Sequence, residues 1–164
     1  MARRLRYLLL SVVILLLDQG TKAWALARLR PVVMIEVIPD FFRLTFATNR
    51  GVAFSLFADG PEGTRYILSA IALLAAAMVS YQQWRTPAGH QRMQWSLSLL
   101  LAGILGNLID RIRFGEVIDF LDFHLADRYA WPTFNVADAV ICVGAGLLAI
   151  ELLREERRGR RDVS

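Results

Sequence analysis

The chain has 164 residues, 55% of them hydrophobic and 21% charged, with a formal net charge of +4. That length suits one domain, and a basic balance of this kind would admit a nucleic-acid partner if the arginines were spread over a folded surface. They gather instead at the chain ends, in RRLR and LLREERRGRR, beside long apolar blocks. This excludes a nucleic-acid binder and a water-soluble globule and marks a polytopic membrane protein, because basic clusters flanking apolar spans set topology and meet lipid headgroups.

The first apolar block covers residues 7–27 and follows Arg3, Arg4 and Arg6. A basic start, an apolar core and Ala25-Leu26-Ala27 resemble a cleavable leader, but Asp18 and Lys22 interrupt the run before that site, so a retained helix is expected. The two residues are four apart and share a helix face, where they can partner each other. Residues 28–65 change texture: short runs of β-branched and aromatic residues are broken by Pro39-Asp40, by Asn49-Arg50-Gly51 and by the closing turn at 59–63. This stretch is too interrupted to span as a helix and predicts a small β-rich element at the bilayer surface.

Residues 66–84 form the second predicted span, rich in alanine and without assigned chemistry, and residues 85–94 turn the chain back between Trp84 and Trp95. The third span, 95–112, begins apolar and ends with Asn107, Asp110 and Arg111 on one face, with Ala102, Gly103 and Gly106 allowing close approach of another helix. Residues 113–133 are again strand-like. The fourth span, 134–153, carries Asn135 and Asp138 in its first turns, and a basic tail, 154–164, follows. Blocks of about 20 residues match a hydrocarbon core of roughly 30 Å at 1.5 Å per residue. The fold class is therefore a polytopic α-helical membrane protein, four transmembrane helices with a small extracytoplasmic β-rich cradle, in one membrane-embedded domain over 1–164. Four spans put both termini on one side, and the density of arginine near the helix ends makes that side cytoplasmic.

Up-down topology then brings Asp18, Lys22, Asn107, Asp110, Arg111, Asn135 and Asp138 to similar depth near the outer surface. An Asp, Arg or Lys near a helix centre costs about 2.5–3.5 kcal/mol even on the mildest scale, so the cluster needs a reason. Asp18 with Lys22, and Asp110 with Arg111 or another neighbour, can be structural ion pairs that pin the bundle. Asp119 and Asp138 have no basic residue within four positions. Two facing carboxylates share a proton, which gives one group to activate water and one to protonate a leaving group. Asp122 reads as solvated, and Cys142, the lone cysteine, as a buried small hydrophobe.

Other chemistries have less behind them. HExxH is absent, and the two histidines, His90 and His124, fall in a loop and on a surface strand, so no metal site is expected. Ser69, Ser96 and Ser98 lack a histidine at membrane depth. A proton-coupled transporter is the alternative, since intramembrane Asp and Arg also mark ion pathways. Four spans without an inverted repeat, and polarity gathered at one face, favour surface chemistry.

Five motifs together resemble the lipoprotein signal peptidases (signal peptidase II), bacterial membrane aspartyl proteases, along nearly the whole chain: DQGTK from Asp18 to Lys22, NRGVAF from Asn49 to Phe54, GNLIDR from Gly106 to Arg111, VIDF from Val117 to Phe120 and FNVADAVI from Phe134 to Ile141. Each is weak alone, and five in order are specific. Ala102 departs from a glycine frequent in that family. The resemblance implies Asp119 and Asp138 as the catalytic pair. It implies Asn49, Asn107, Arg111, Asn135 and Asp18 as substrate-binding or dyad-supporting residues, beside Lys22 and Asp110 in structural ion pairing. It further implies cleavage of a prolipoprotein just before its diacylglyceryl-modified cysteine, with no cofactor and no metal. The enzyme would be a monomer among membrane lipids of the bacterial inner membrane, its active site near the outer face.

Overall fold

The computed structural model describes residues 2–51, 63–125 and 129–161. Residues 52–54 of the NRGVAF motif, most of the turn at 59–63, and the last three residues of the tail lie outside the described residues. Among the described residues, four helices are long and apolar enough to cross a membrane: α1 (Ala2–Arg28), α2 (Thr64–Arg85), α3 (Gln91–Phe114) and α4 (Val136–Arg161). The first three exceed the predicted spans by one to five residues at each end, because polar and basic residues continue a helix beyond its apolar part. The fourth begins two residues later than predicted and continues well past 153, so the residues read as a tail are helical as far as Arg161.

α3 is the central helix and packs against the other three. Its buried residues, among them Gln94, Leu97, Ser98, Leu101, Ala102, Gly106, Asn107 and Asp110, recur every three or four positions but cover more than one face, as a helix with several neighbours requires. Close approach is built in. A Cβ at Gly103 would stand 2.5 Å from the Ala137 carbonyl oxygen, and one at Gly106 would collide with the Asp18 carboxylate. Gly115 ends α3 in the left-handed region, φ +80°, with its N–H returned to the Arg111 carbonyl at 3.0 Å. Thr86 and Pro87 stop α2 and start the short turn into α3.

The β-rich segments form one sheet in the order β1 (Met34–Ile38), β2 (Phe42–Asn49), β3 (Val117–Leu125), β4 (Tyr129–Ala130), with antiparallel neighbours. The β1–β2 turn places Asp40 at φ 59°, a conformation Asp tolerates better than most residues. β2 meets β3 in a register that pairs Ala47 with Asp119 and Asn49 with Val117, after an irregularity between Leu44 and Ala47. Ile118 and Phe120 bury against Ala25 and Leu29 at the end of α1, so the sheet sits on the first helix. The segment before α4 is stitched to β3 by Leu121 N–H to the Phe134 carbonyl at 2.8 Å and by the reverse bond at 3.0 Å.

Asp122 is buried, not solvated, because the β2–β3 register sets it opposite Arg43, whose Nε lies 2.6 Å from Oδ2. Cys142 is exposed, not buried, because it lies on a side of α4 away from its helix neighbours.

Candidate active site

Three helices and one strand converge where α1 and α3 end and α4 begins. Lys22 is 2% exposed. Its ammonium has three protons and meets three oxygens: Asp18 Oδ2 at 3.0 Å, Asp110 Oδ2 at 2.9 Å and Asn107 Oδ1 at 2.9 Å. The expected Asp18–Lys22 pair is thus present. Asp110 is ion-paired with Lys22, not with its neighbour Arg111, because a side chain 100° round the helix points away from the one before it. Asp18 Oδ1 accepts the Ala137 N–H at 2.9 Å, and Asp110 Oδ2 accepts the Ile118 N–H at 3.3 Å. These carboxylates therefore fasten the start of α4 and the start of β3 to the bundle. Asp18 is fully enclosed and bonds directly to neither Asp119 nor Asp138.

Asn107 and Asn135 carry this network to the other two carboxylates. Asn107 Nδ2 donates to Asp138 Oδ1 at 2.7 Å, and Asn135 Nδ2 donates to Asp119 Oδ1 at 2.7 Å. The two amides also meet, Asn135 Nδ2 lying 3.3 Å from Asn107 Oδ1. Asn135 was expected inside the fourth span, but it stands one residue before α4. There its Oδ1 accepts the Asp138 N–H at 2.9 Å, while Asp138 Oδ2 accepts the Asn135 N–H at 3.4 Å. That reciprocal pair is a capping box, with Asp in the place usually held by Glu or Gln. The same short stretch starts a helix and seats a carboxylate.

Asn49 turns at the end of β2, its Oδ1 accepting the Gly51 N–H at 2.9 Å, and its side chain also hydrogen-bonds Asp119. Arg111 donates through Nη2 to the Gly51 carbonyl at 2.7 Å and through Nη1 to the Asn107 carbonyl at 3.4 Å. Burial, then the negative charge of Asp138, pushes the Asp119 carboxyl up from 3.8 to about 7, against the opposing pull of Asn135, Asn49 and Lys22. Asp119 therefore keeps a proton near neutrality while charged groups surround it. A pair of this kind, one carboxylate buried and the other half-buried, can both take and give a proton.

Gln19 was not singled out from the sequence. Its Nε2 reaches Asp110 Oδ1 at 3.1 Å and the Gly106 carbonyl at 3.2 Å, locking α1 to α3. Its place inside DQGTK was the available signal. His90 stands before α3 at the opposite end of the bundle. His124 borders an apolar cleft of about 360 Å³ among Phe41, Phe123, Leu125, Tyr129, Trp131 and Phe134, which no residue of the carboxylate network lines.

Against known proteins, the family described as signal peptidase (SPase) II matches residues 10–154. The chain belongs to the signal peptidase II family. A lipoprotein signal peptidase of Geobacter metallireducens is 40% identical over 154 residues, 94% of each chain, and one of Pseudomonas aeruginosa is 39% identical over 156 residues, 95% of this chain and 92% of its own. A bacterial membrane enzyme structure solved by the in meso method at 2.3 Å superposes with a TM-score of 0.79 at 33% identity, covering 92% of this chain and 89% of the other. Membership of this family makes the chain a membrane aspartic protease and leaves the transporter alternative without support.

Proposed function

We propose that this signal peptidase II cleaves the signal peptide of prolipoproteins immediately before the diacylglyceryl-modified cysteine, with Asp119 and Asp138 as its catalytic dyad. One observation carries the residue assignment: a buried carboxylate, Asp119, and a half-buried one, Asp138, come from different elements and are joined through Asn135, and Asp119 holds its proton up to about 7. The ionised carboxylate takes a proton from water as the water oxygen attacks the scissile carbonyl carbon. The protonated one gives its proton to the carbonyl oxygen. On collapse of the resulting diol the C–N bond breaks, the cysteine amine receives the proton drawn from water, and a diol hydroxyl returns a proton to the other carboxylate. Asn107 and Asn135 hold the carboxylates, while Asn49 and Arg111 order the chain around Gly51 beside them.

In this reading the protein lies in the bacterial inner membrane as a monomer, termini in the cytoplasm and dyad near the outer face, where the acyl chains of the substrate can stay in lipid. Support comes from the arginine-dense termini and from a network supplied wholly by one chain. Purified wild-type protein should release the signal peptide from a diacylglyceryl-modified prolipoprotein. Asp138→Asn and Asp119→Asn should each lose at least about a thousandfold in kcat, a scale set by losses of essential residues in other proteases, while remaining inserted and monodisperse. Full cleavage by either variant would remove that residue from the dyad.

A further inference from the structure

A carboxamide is asymmetric: its oxygen only accepts and its nitrogen only donates. Asn107 lies between Lys22, which can only donate, and Asp138, which as a carboxylate can only accept. In the observed orientation both contacts are satisfied, at 2.9 Å to Lys22 and 2.7 Å to Asp138. Turned over, the amide would oppose donor to donor at Lys22 and acceptor to acceptor at Asp138. Asn135 adds to the bias by aiming its own Nδ2 at the same Asn107 oxygen.

We infer that Lys22 is a positioning residue of the dyad: by holding Asn107 Oδ1 it fixes the Asn107 amide toward Asp138, makes Asp138 the carboxylate that is ionised at rest, and leaves the shared proton on Asp119. The inference rests on the dyad reading above and deepens it by assigning the two roles. Lys22 touches no substrate in this arrangement, being enclosed by Asp18 from its own helix and Asp110 from α3. The other charged groups around Asp138 are Asp18 from α1, Arg111 from α3 and Asp119 from β3. Asp138 also occupies the first turn of α4, where unpaired N–H groups and the helix dipole favour negative charge. Asp119, on a strand, has no such dipole.

The test is a set of pH–rate profiles for the purified full-length protein on a diacylglyceryl-modified prolipoprotein, beside Asp138→Asn as the inactive reference. In Lys22→Met the low-pH limb of kcat should move up by about one pH unit, so that kcat is about tenfold lower at a fixed pH on that limb and little changed on the plateau above it, with KM within about twofold. The double variant Lys22→Met/Asp110→Asn removes one buried cation and one buried carboxylate together, so local net charge is kept while the Asn107 contact is still lost. It should show the same displaced limb, and it supplies the readout if the single variant does not fold. Lys22→Arg, which also carries only donors, should return the limb toward wild type. A wild-type limb in the double variant would overturn the inference, since loss of stability alone lowers yield and Tm without moving a pH profile. Inactivity of wild type on this substrate would instead strike at the proposed function itself.

Discussion

Two buried polar clusters lie at opposite ends of α3, and they are built on different principles. Near the α2–α3 turn the cluster is uncharged. Gln94 Nε2 donates to the carbonyls of Thr86 at 2.8 Å and Gln83 at 3.1 Å, Gln83 donates to Ser98 Oγ at 2.9 Å, and Ser11 Oγ donates to the Ser98 carbonyl at 3.0 Å. Tyr7 closes it with a bond to the Ala88 carbonyl at 3.2 Å. None of its side-chain polar atoms is among the buried, unpartnered atoms of the described residues. At the far end, four carboxylates (Asp18, Asp110, Asp119, Asp138) face two cations (Lys22, Arg111), and the Arg111 Nε is buried without a partner. The neutral cluster satisfies backbone groups and fixes a helical hairpin. The charged one fastens α4 and β3 through Asp18 and Asp110, and its excess of acid helps keep a proton on Asp119.

The contrast is broken most sharply at Asp119. Asp119→Asn should abolish cleavage and yet stabilise the fold. Between 3.8 and about 7 the folded protein binds a proton that the unfolded chain has released, so ionisation of Asp119 subtracts stability as pH rises through that window. An amide has nothing to ionise. The stability advantage of the variant should therefore be small near pH 4, widen toward pH 7 and level off above it, reaching at most about 4 kcal/mol. Thermal unfolding in detergent across that range checks the sign, and a constant offset would show that the Asp119 proton is not linked to folding.

At the neutral end the order reverses. Gln94→Leu leaves the Thr86 and Gln83 carbonyls without their donor and should cost about 2–3 kcal/mol, lowering Tm while kcat/KM stays within about twofold. A change in kcat without a change in Tm would mean that the two clusters communicate through α3. Ser11→Ala should be the mildest, about 0.6 kcal/mol, the typical value of an interhelical hydrogen bond in a membrane. Measured together, the pair tells whether the hairpin lock resides in the glutamines or is spread over the serines.

The four spans were legible because apolar length and flanking arginines are read along the chain. Asp119, Asp138, Asn107 and Asn135 stood out for a related reason, as charge or amide at a depth where either is costly. The partner of Asp110 was not legible: Arg111 is adjacent in sequence, but Lys22, on another helix, is adjacent in space. The Arg43–Asp122 bridge was hidden behind a strand register that an irregular β2 shifts. Gln83 and Gln94 do not stand out in the sequence, since their partners are a serine hydroxyl and backbone carbonyls on the neighbouring segments that no motif displays. Cys142 was misjudged because an apolar run does not say which side meets lipid and which meets α3.

The bond from Ala137 N–H to Asp18 Oδ1 joins residues 119 positions apart, the first helix to the last. In a chain made from its N-terminus, Asp18 is synthesised long before the group that completes its coordination, and until then its own helix offers it Lys22 and Gln19. Arrival of α4 delivers three things at once: the donor for Asp18, the cap that starts the helix, and the second carboxylate of the pair. With Asp138 in the proposed dyad, biosynthesis completes the cutting machinery last, and a ribosome-bound precursor short of α4 is expected not to hydrolyse a neighbouring peptide.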